Sequence, residues 1–361
     1  MGFDHTHYVP ILKGRAGEYG ALHEMGTDVK AGLTPLIEVP PIPWDFEGDQ
    51  PDKTIDQHLE RLSTKMVQSW GVERPMFLDL LWIAPEERMA NGDHPLAYVF
   101  ETARQEGLKL IPVTGLVRGE EYQSSCRDVI AEDARGVCIR LQKEDFVELD
   151  DLPTQLAELS DTLGVPASRV DLILDLRAVS PNEENTLRAA IPVLVRSILD
   201  LGEWRSFTLA ATAFPETLIE LPPSSVSLIA RLEWIVWRNL IARRRIPRLP
   251  SFGDYAVASP QPSEVDPRIM RPSASIRYTT DDAWLIPKAR NLRDFGFAQF
   301  HDVCRDLIAR AEYSGPGFSW GDWYIDECAN HRVGTGNLTT WRKAGTSHHL
   351  ACVTRQIARL A

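Results

Sequence analysis

YVPILKGRAGEYGAL, residues 8–22, is the stretch on which the fold turns. Its first half, Tyr8 to Leu12, is a continuous apolar run rich in branched residues, the pattern of a strand covered on both faces. Its second half opens a helix. Between them stands Lys13, a charge that costs several kcal/mol to bury unless it is paired. Glu18 follows on the first helical turn, where a carboxylate complements the helix dipole. A strand that ends on a charge and passes directly into a helix is one β/α unit, so the question is whether it recurs.

Seven further apolar runs follow: LTPLIEV (33–39), RPMFLDLL (74–81), LKLIPVTGL (108–116), GVCIRLQ (136–142), VDLILDLRAV (170–179), SFTLAATAF (206–214) and RLPSFGDYAV (248–257). Stretches long enough for helices, residues 53–70, 95–106, 120–134, 153–163, 183–201 and 224–245, separate them. Continuous apolar strands alternating with helices argue for a parallel sheet covered on its faces. Eight such units in about 250 residues match a TIM-barrel-like (β/α)8 fold. The expected class is therefore α/β, with the barrel over residues 1–258. A doubly wound open sheet uses the same strands in another order, and the sequence alone leaves that alternative open.

Beyond the eighth run the pattern changes. SASIRYTTDDAWLIPKAR (273–290) reads as a β-hairpin around a Thr-Thr-Asp-Asp turn. Helical stretches follow at 297–312 and 320–330, then the glycine-rich RVGTGN, then a last helix over 347–360. SPQPSEVDPRIMRPSAS (259–275) has the proline content of a long ordered loop or a lid. Residues 259–361 are thus expected as a C-terminal hairpin and helical extension packed on the barrel as one structural unit.

In a parallel barrel all C-terminal strand ends point to one mouth. Strand one ends on Lys13, strand two on Glu38, strand three on Asp79, strand five on Arg140, strand six on Asp175 with Arg177, and strand eight on Asp254 with Tyr255. Charges far apart in sequence therefore converge. Such a ring can neutralise itself as a set of salt bridges, or it can hold a charged ligand. Lys13, Arg140 and Arg177 suit a phosphate or carboxylate, which guanidinium binds bidentately. Lys13, Glu38, Asp79 and Asp175 are the candidate catalytic residues, with Lys13 and Asp175 for acid/base work through pKa values moved by crowded neighbours. Glu38, Asp79 and Asp175 could also supply oxygen ligands for Mg²⁺ or Mn²⁺.

The segments YVPILKGRAGEYGAL, LTPLIEVPP, FGDYAV, SASIRYTTDDAWLIPKA and TWRKAGTSHHLACVTRQI together resemble the beta protein family of bacteria, prophages and other mobile elements. The resemblance spans nearly the whole chain and implies a role in conflict between phage and host or in another mobile-element function. Family-like positions are Lys13, Glu18, Glu38, Asp79, Asp175, Asp254, Tyr255, Arg277, Tyr278, Lys288, Trp341, Arg342 and His349. Taken with the strand-end cations, the candidate substrate-binding residues are Arg140, Arg177, Asp254, Tyr255, Arg277, Lys288 and His349, the last placed beside His348 at the start of the final helix.

The 361 residues are 43% hydrophobic and 25% charged, an ordinary globular composition. A net charge of −12 argues against binding polyanions through the overall field. The basic run over Arg243–Arg248 could grip nucleic-acid phosphates locally, although a solvated helix end is the plainer reading. No apolar run approaches the roughly 18 to 20 residues of a membrane span, and MGFDHTHYVP lacks signal-peptide features, so a cytoplasmic protein is expected. Five scattered cysteines imply free thiols rather than a disulfide framework. His5 and His7 precede strand one, at the wrong end of a barrel for a catalytic metal.

Two functional readings follow. One is an enzyme acting on a small anionic, phosphorylated or nucleotide-like ligand, in the manner of a metal-assisted hydrolase or phosphodiesterase-like barrel enzyme. The alternative is a non-catalytic recognition or assembly subunit of a phage-related or defence complex, with a protein partner.

Overall fold

A computed structural model describes residues 2–147, 149–199, 203–242, 246, 248–262 and 268–360. Eight strands form a closed parallel barrel. They are β1 (Tyr8–Leu12), β2 (Leu36–Glu38), β3 (Pro75–Asp79), β4 (Lys109–Thr114), β5 (Val137–Gln142), β6 (Val170–Ala178), β7 (Ser206–Thr212) and β9 (Ser251–Asp254). The order around the barrel is β1-β9-β7-β6-β5-β4-β3-β2. Closure is made by β1, which pairs Ile11 with Leu36 on one side and Val9 with Gly253 on the other. The open-sheet alternative is thereby excluded.

Helices cover the outside: α1 (Ala16–His23), α2 (Leu62–Trp70), α3 (Pro95–Gln105), α4 (Glu120–Asp133), α5 (Leu152–Leu163), α6 (Glu184–Leu199) and α7 (Leu232–Ala242). The outward strand residues, such as Tyr8, Leu12, Ile37 and Leu78, pack against them in the main core. The alternate residues face inward, and Val9, Ile11, Leu36, Phe77, Ile111, Val113, Cys138, Ile173 and Ala210 fill the barrel. Gly253 lets this interior close up, since a Cβ there would stand 2.9 Å from that of Ala210.

The region expected as a helix over 224–245 is two elements. Strand β8 (Ser225–Ala230) comes first and α7 begins only at Leu232. SVSLIA alternates polar and apolar residues with period two, and tertiary pairing takes the segment out of the helix. β8 lies outside the barrel, antiparallel to β12 (Ala283–Asn291). β12 also pairs with β10 (Ser273–Ser275) and β11 (Tyr278–Thr279), so the expected hairpin is part of a small antiparallel sheet.

After a single turn at Leu292–Phe295 come the longer helices α8 (Gln299–Ile308), α9 (Trp320–Ala329) and α10 (Leu338–Ala358). The last starts nine residues earlier than expected, at an Asn337 cap that accepts from the Thr340 amide at 3.1 Å. Its buried positions include Thr346, Ser347, His348, His349 and Gln356 as well as apolar ones, so hydrophobic periodicity does not reveal it. His348 and His349 consequently sit mid-helix. All five cysteines are free. Among the described residues no helix is long and apolar enough to cross a membrane.

Candidate functional site

Strand alternation places Lys13, Glu38, Asp79, Arg140 and Asp175 on the inward face, at the level directly above the apolar barrel filling. Glu38 and Asp79 are register partners on adjacent strands. All five are at most 5% exposed. Arg140 stands in the middle. Its Nη1 lies 2.8 Å from both Glu38 Oε1 and Asp79 Oδ2, while Nε and Nη2 reach Asp175 Oδ2 at 3.0 and 2.7 Å. The same Nη2 donates to the Tyr255 hydroxyl at 2.7 Å, which in turn donates to Asp175 Oδ2 at 2.5 Å.

Lys13 flanks this group. Its ammonium lies 2.5 Å from Glu38 Oε2, donates to the Pro260 carbonyl, and packs 5.2 and 5.1 Å from the ring centres of Trp82 and Tyr255. Trp82 also donates to Glu38 Oε2 at 3.2 Å. Arg118 completes the balance, 2.5 Å from Asp79 Oδ1. Three cations thus face three carboxylates, the pairing that makes burial of so many charges tolerable.

Burial pulls the Lys13 ammonium below the usual lysine range, although Glu38 works against that shift. Burial alone would raise Glu38, but Arg140 and Lys13 more than offset it and hold the carboxyl below its ordinary value. Burial, only partly opposed by Arg140, keeps Tyr255 a phenol well above the usual tyrosine range.

Arg177 sits at the rim of this layer. The strand is irregular between Asp175 and Ala178, and Arg177 has a left-handed φ of 56°. Its amide donates to Asp175 Oδ1 at 2.9 Å, and its guanidinium lies 5.5 Å from the Trp82 ring centre. Nη1 reaches only a long 3.5 Å contact with Gln142, and Nη2 is buried without a hydrogen-bond partner.

The other expected residues lie elsewhere. Asp254 is one step out of phase with Tyr255 and faces outward, not into the mouth. It accepts from Tyr8 OH at 2.5 Å and from His349 Nε2 at 2.9 Å. His349, on α10, contacts Thr279 Oγ1 through Nδ1 at 2.8 Å, so both residues bind the C-terminal sheet to the barrel. Lys288 donates to the carbonyls of Leu218 and Leu221 at 2.7 and 2.6 Å. Arg277 donates to Val257 O at 2.5 Å, in a separate cluster.

A metal does not fit the three carboxylates. The Arg140 guanidinium occupies the place among Glu38, Asp79 and Asp175 that a Mg²⁺ or Mn²⁺ ion would need. Among the described residues no group of three or more His, Cys, Asp and Glu could hold a metal ion. Of the basic run, Arg243, Arg244 and Arg245 lie outside the described residues, and Arg248 is engaged with the carbonyls of Trp204 and Arg205.

Sequence reading missed Arg118 and Trp82. Arg118 is the first charge after β4, one of the two barrel strands whose ends carry none; Trp82 lies three residues beyond Asp79. It also missed a second buried set behind the barrel wall, Arg231 and Glu233, whose Nε and Oε1 stand 4.0 Å apart. Both residues lay inside the segment read as one helix.

The family model described as Beta protein matches residues 8–355. The chain belongs to the Beta protein family. The resemblance read in the sequence is thereby borne out. A search of curated proteins finds no match. Solved structures similar to the chain include the catalytic module of a family 98 glycoside hydrolase from Streptococcus pneumoniae TIGR4, at 10% identity and TM-score 0.40, covering 71% of this chain and 48% of that one. Another is a candidate lyase/mutase from Burkholderia cenocepacia J2315, at 12% identity and TM-score 0.33, covering 70% and 76% respectively. A third is the carboxyl transferase domain of Rhizobium etli pyruvate carboxylase, at 13% identity and TM-score 0.37, covering 96% and 48%. The chain spans about half the length of the first of these.

Proposed function

We propose that this Beta-family protein binds a small anionic ligand, phosphorylated or nucleotide-like, at the mouth of its barrel. The observation that carries this reading is Arg177. An arginine is held at a left-handed φ of 56° at the end of a core strand, with one guanidinium nitrogen buried and unpartnered. Backbone strain and an unmet donor at a barrel mouth are costs that a ligand's anionic oxygen would offset. The inner charges serve as support: Arg140 is saturated by carboxylates and fixes the layer on which Arg177 and Trp82 rest.

Acid/base chemistry, on this reading, falls to Lys13. Two acceptors take two of its three N–H groups, and burial weakens its hold on the proton. Asp175 is less available to a ligand, because its Oδ2 already accepts from Arg140 and Tyr255.

Recognition or assembly within a phage-related or defence complex is the second reading. It is favoured by large apolar side chains exposed on the segments that follow barrel strands: Trp44, Phe46, Val117, Val147, Ile219 and Ile269. The two readings separate by ligand-induced thermal shift across phosphorylated, nucleotide and carboxylate compounds. At least one anion should raise the melting temperature of the wild type, and Arg177→Gln should weaken that response by roughly tenfold in concentration. Should no compound act, and should R177Q equal wild type in a phage-plating assay, the ligand reading is lost and the assembly reading gains.

A further inference from the structure

A second cationic group lies where the last helix meets the first β/α unit. Arg15, exposed, lies three residues beyond the end of β1, Arg277 precedes β11, and Arg342 is on the second turn of α10. Arg277 Nη1 and Arg342 Nη1 donate to the same acceptor, the Val257 carbonyl, at 2.5 and 3.1 Å. Val257 lies three residues beyond the end of β9, on the mouth side of the barrel.

Glycines admit both arginines. A Cβ on Gly17 would stand 2.8 Å from the Arg342 side chain, and one on Gly345 would stand 2.9 Å from the Arg277 carbonyl. The Arg277 guanidinium lies 4.9 Å from the Phe214 ring centre, which fixes its plane.

Electrostatically the group is unbalanced. Among the described residues no carboxylate forms an ion pair with Arg15, Arg277 or Arg342. Glu18, buried on the first turn of α1, is the one acidic group that acts on all three. Two guanidinium groups drawn to one neutral carbonyl repel each other. Burial first, then Arg342 and Arg15, lower the pKa of Arg277 well below the arginine range, and burial likewise lowers Arg342. Because arginine does not give up its proton in proteins, the unfavourable field persists until an anion enters. Arg277 and Arg342 against the single Glu18 carboxylate leave one positive charge uncompensated, and the exposed Arg15 adds a solvated cation at the edge.

We propose that Arg15, Arg277 and Arg342 form a subsite for a phosphoryl dianion, the terminal phosphate of a monoester or nucleotide. The subsite deepens the reading of the mouth as an anionic-ligand site and rests on that reading for the rest of the ligand. Glu18 weakens it, since a fixed carboxylate repels any anion and a dianion more than a monoanion. Lys13 is near enough to Glu18 to feel its charge, which connects the subsite to the inner layer.

The test is a thermal titration of the intact protein with inorganic phosphate, using sodium chloride at matched ionic strength as the control. Phosphate should raise the melting temperature saturably and chloride should not. Arg277→Gln and Arg342→Gln should each weaken the response by roughly tenfold or more, while melting no lower than wild type in the absence of phosphate, because like-charge repulsion is relieved. Glu18→Gln should strengthen the response. The inference falls if phosphate acts no differently from chloride, or if R277Q and R342Q respond as wild type does. Loss of the response in R177Q alone would support the mouth reading and overturn this subsite; loss in R277Q and R342Q with R177Q intact would support the subsite and count against the role of Arg177.

Discussion

Arg140 shows how one residue can organise a set of strand ends. It meets Glu38, Asp79, Asp175 and Tyr255 from a position 3% exposed. Arg140→Met would leave these carboxylates buried without their common cation and should destabilise the fold by about 3–5 kcal/mol, measured by urea unfolding. A loss under ~1 kcal/mol would mean that the layer is solvated. Glu233 offers a pH test. Burial, partly opposed by Arg231 and reinforced by Asp254, raises its pKa to about 8. The unfolded value is about 4.3, so the stability that the neutral carboxyl contributes is complete below that pH and is lost as pH rises toward 8. Glu233→Gln should remove this pH dependence and unfold at higher urea than wild type at pH 8; parallel pH profiles would contradict it. At this scale the sequence disclosed Lys13, Glu38, Asp79, Arg140 and Asp175, because a charge ending an apolar run is visible in one dimension. It could not disclose that Asp254 faces away while its neighbour Tyr255 faces in, since that depends on strand phase.

Elements were legible in proportion to how far local pattern decides them. The barrel strands read directly, because runs covered on both faces need no partner to identify them. β8 did not, since its place was set by pairing with β12, far along the chain, and not by helix propensity. The start of α10 was hidden because polar groups buried along it find partners in the sheet and barrel, as His348 does with the Thr279 carbonyl at 2.8 Å. The packing of α9 on α10 is close enough that a Cβ on Gly321 would stand 2.1 Å from the Ala344 carbonyl. Gly321→Ala should therefore cost about 1–3 kcal/mol, read as a lower melting temperature, with the far-ultraviolet spectrum retained. An unchanged melting temperature would show that the two helices are further apart than described.

Across the whole molecule, the barrel and the C-terminal region exchange buried partners: β8 takes β12, Asp254 takes His349, and Arg231 takes Gln356 Oε1 at 2.9 Å. A chain ending at residue 258 loses all three and should fail to unfold cooperatively, whereas the full chain should melt in one transition. A stable barrel fragment would instead separate the two parts. The fold class and the gathering of distant charges at one mouth followed from the order of apolar runs, and self-neutralisation was one of two readings left open for them; that Arg140 alone joins all three carboxylates did not follow, because pairing is a matter of three-dimensional reach. The most direct test of the mouth as an anion site is a crystal structure soaked with tungstate, a tetrahedral dianion whose anomalous signal locates it without ambiguity. The account predicts a peak within hydrogen-bond reach of Arg177, above an intact Lys13–Glu38–Arg140–Asp79–Asp175 layer, and a second at Arg277 and Arg342. Peaks confined to lattice contacts, or a mouth in which these five side chains do not meet, would contradict it.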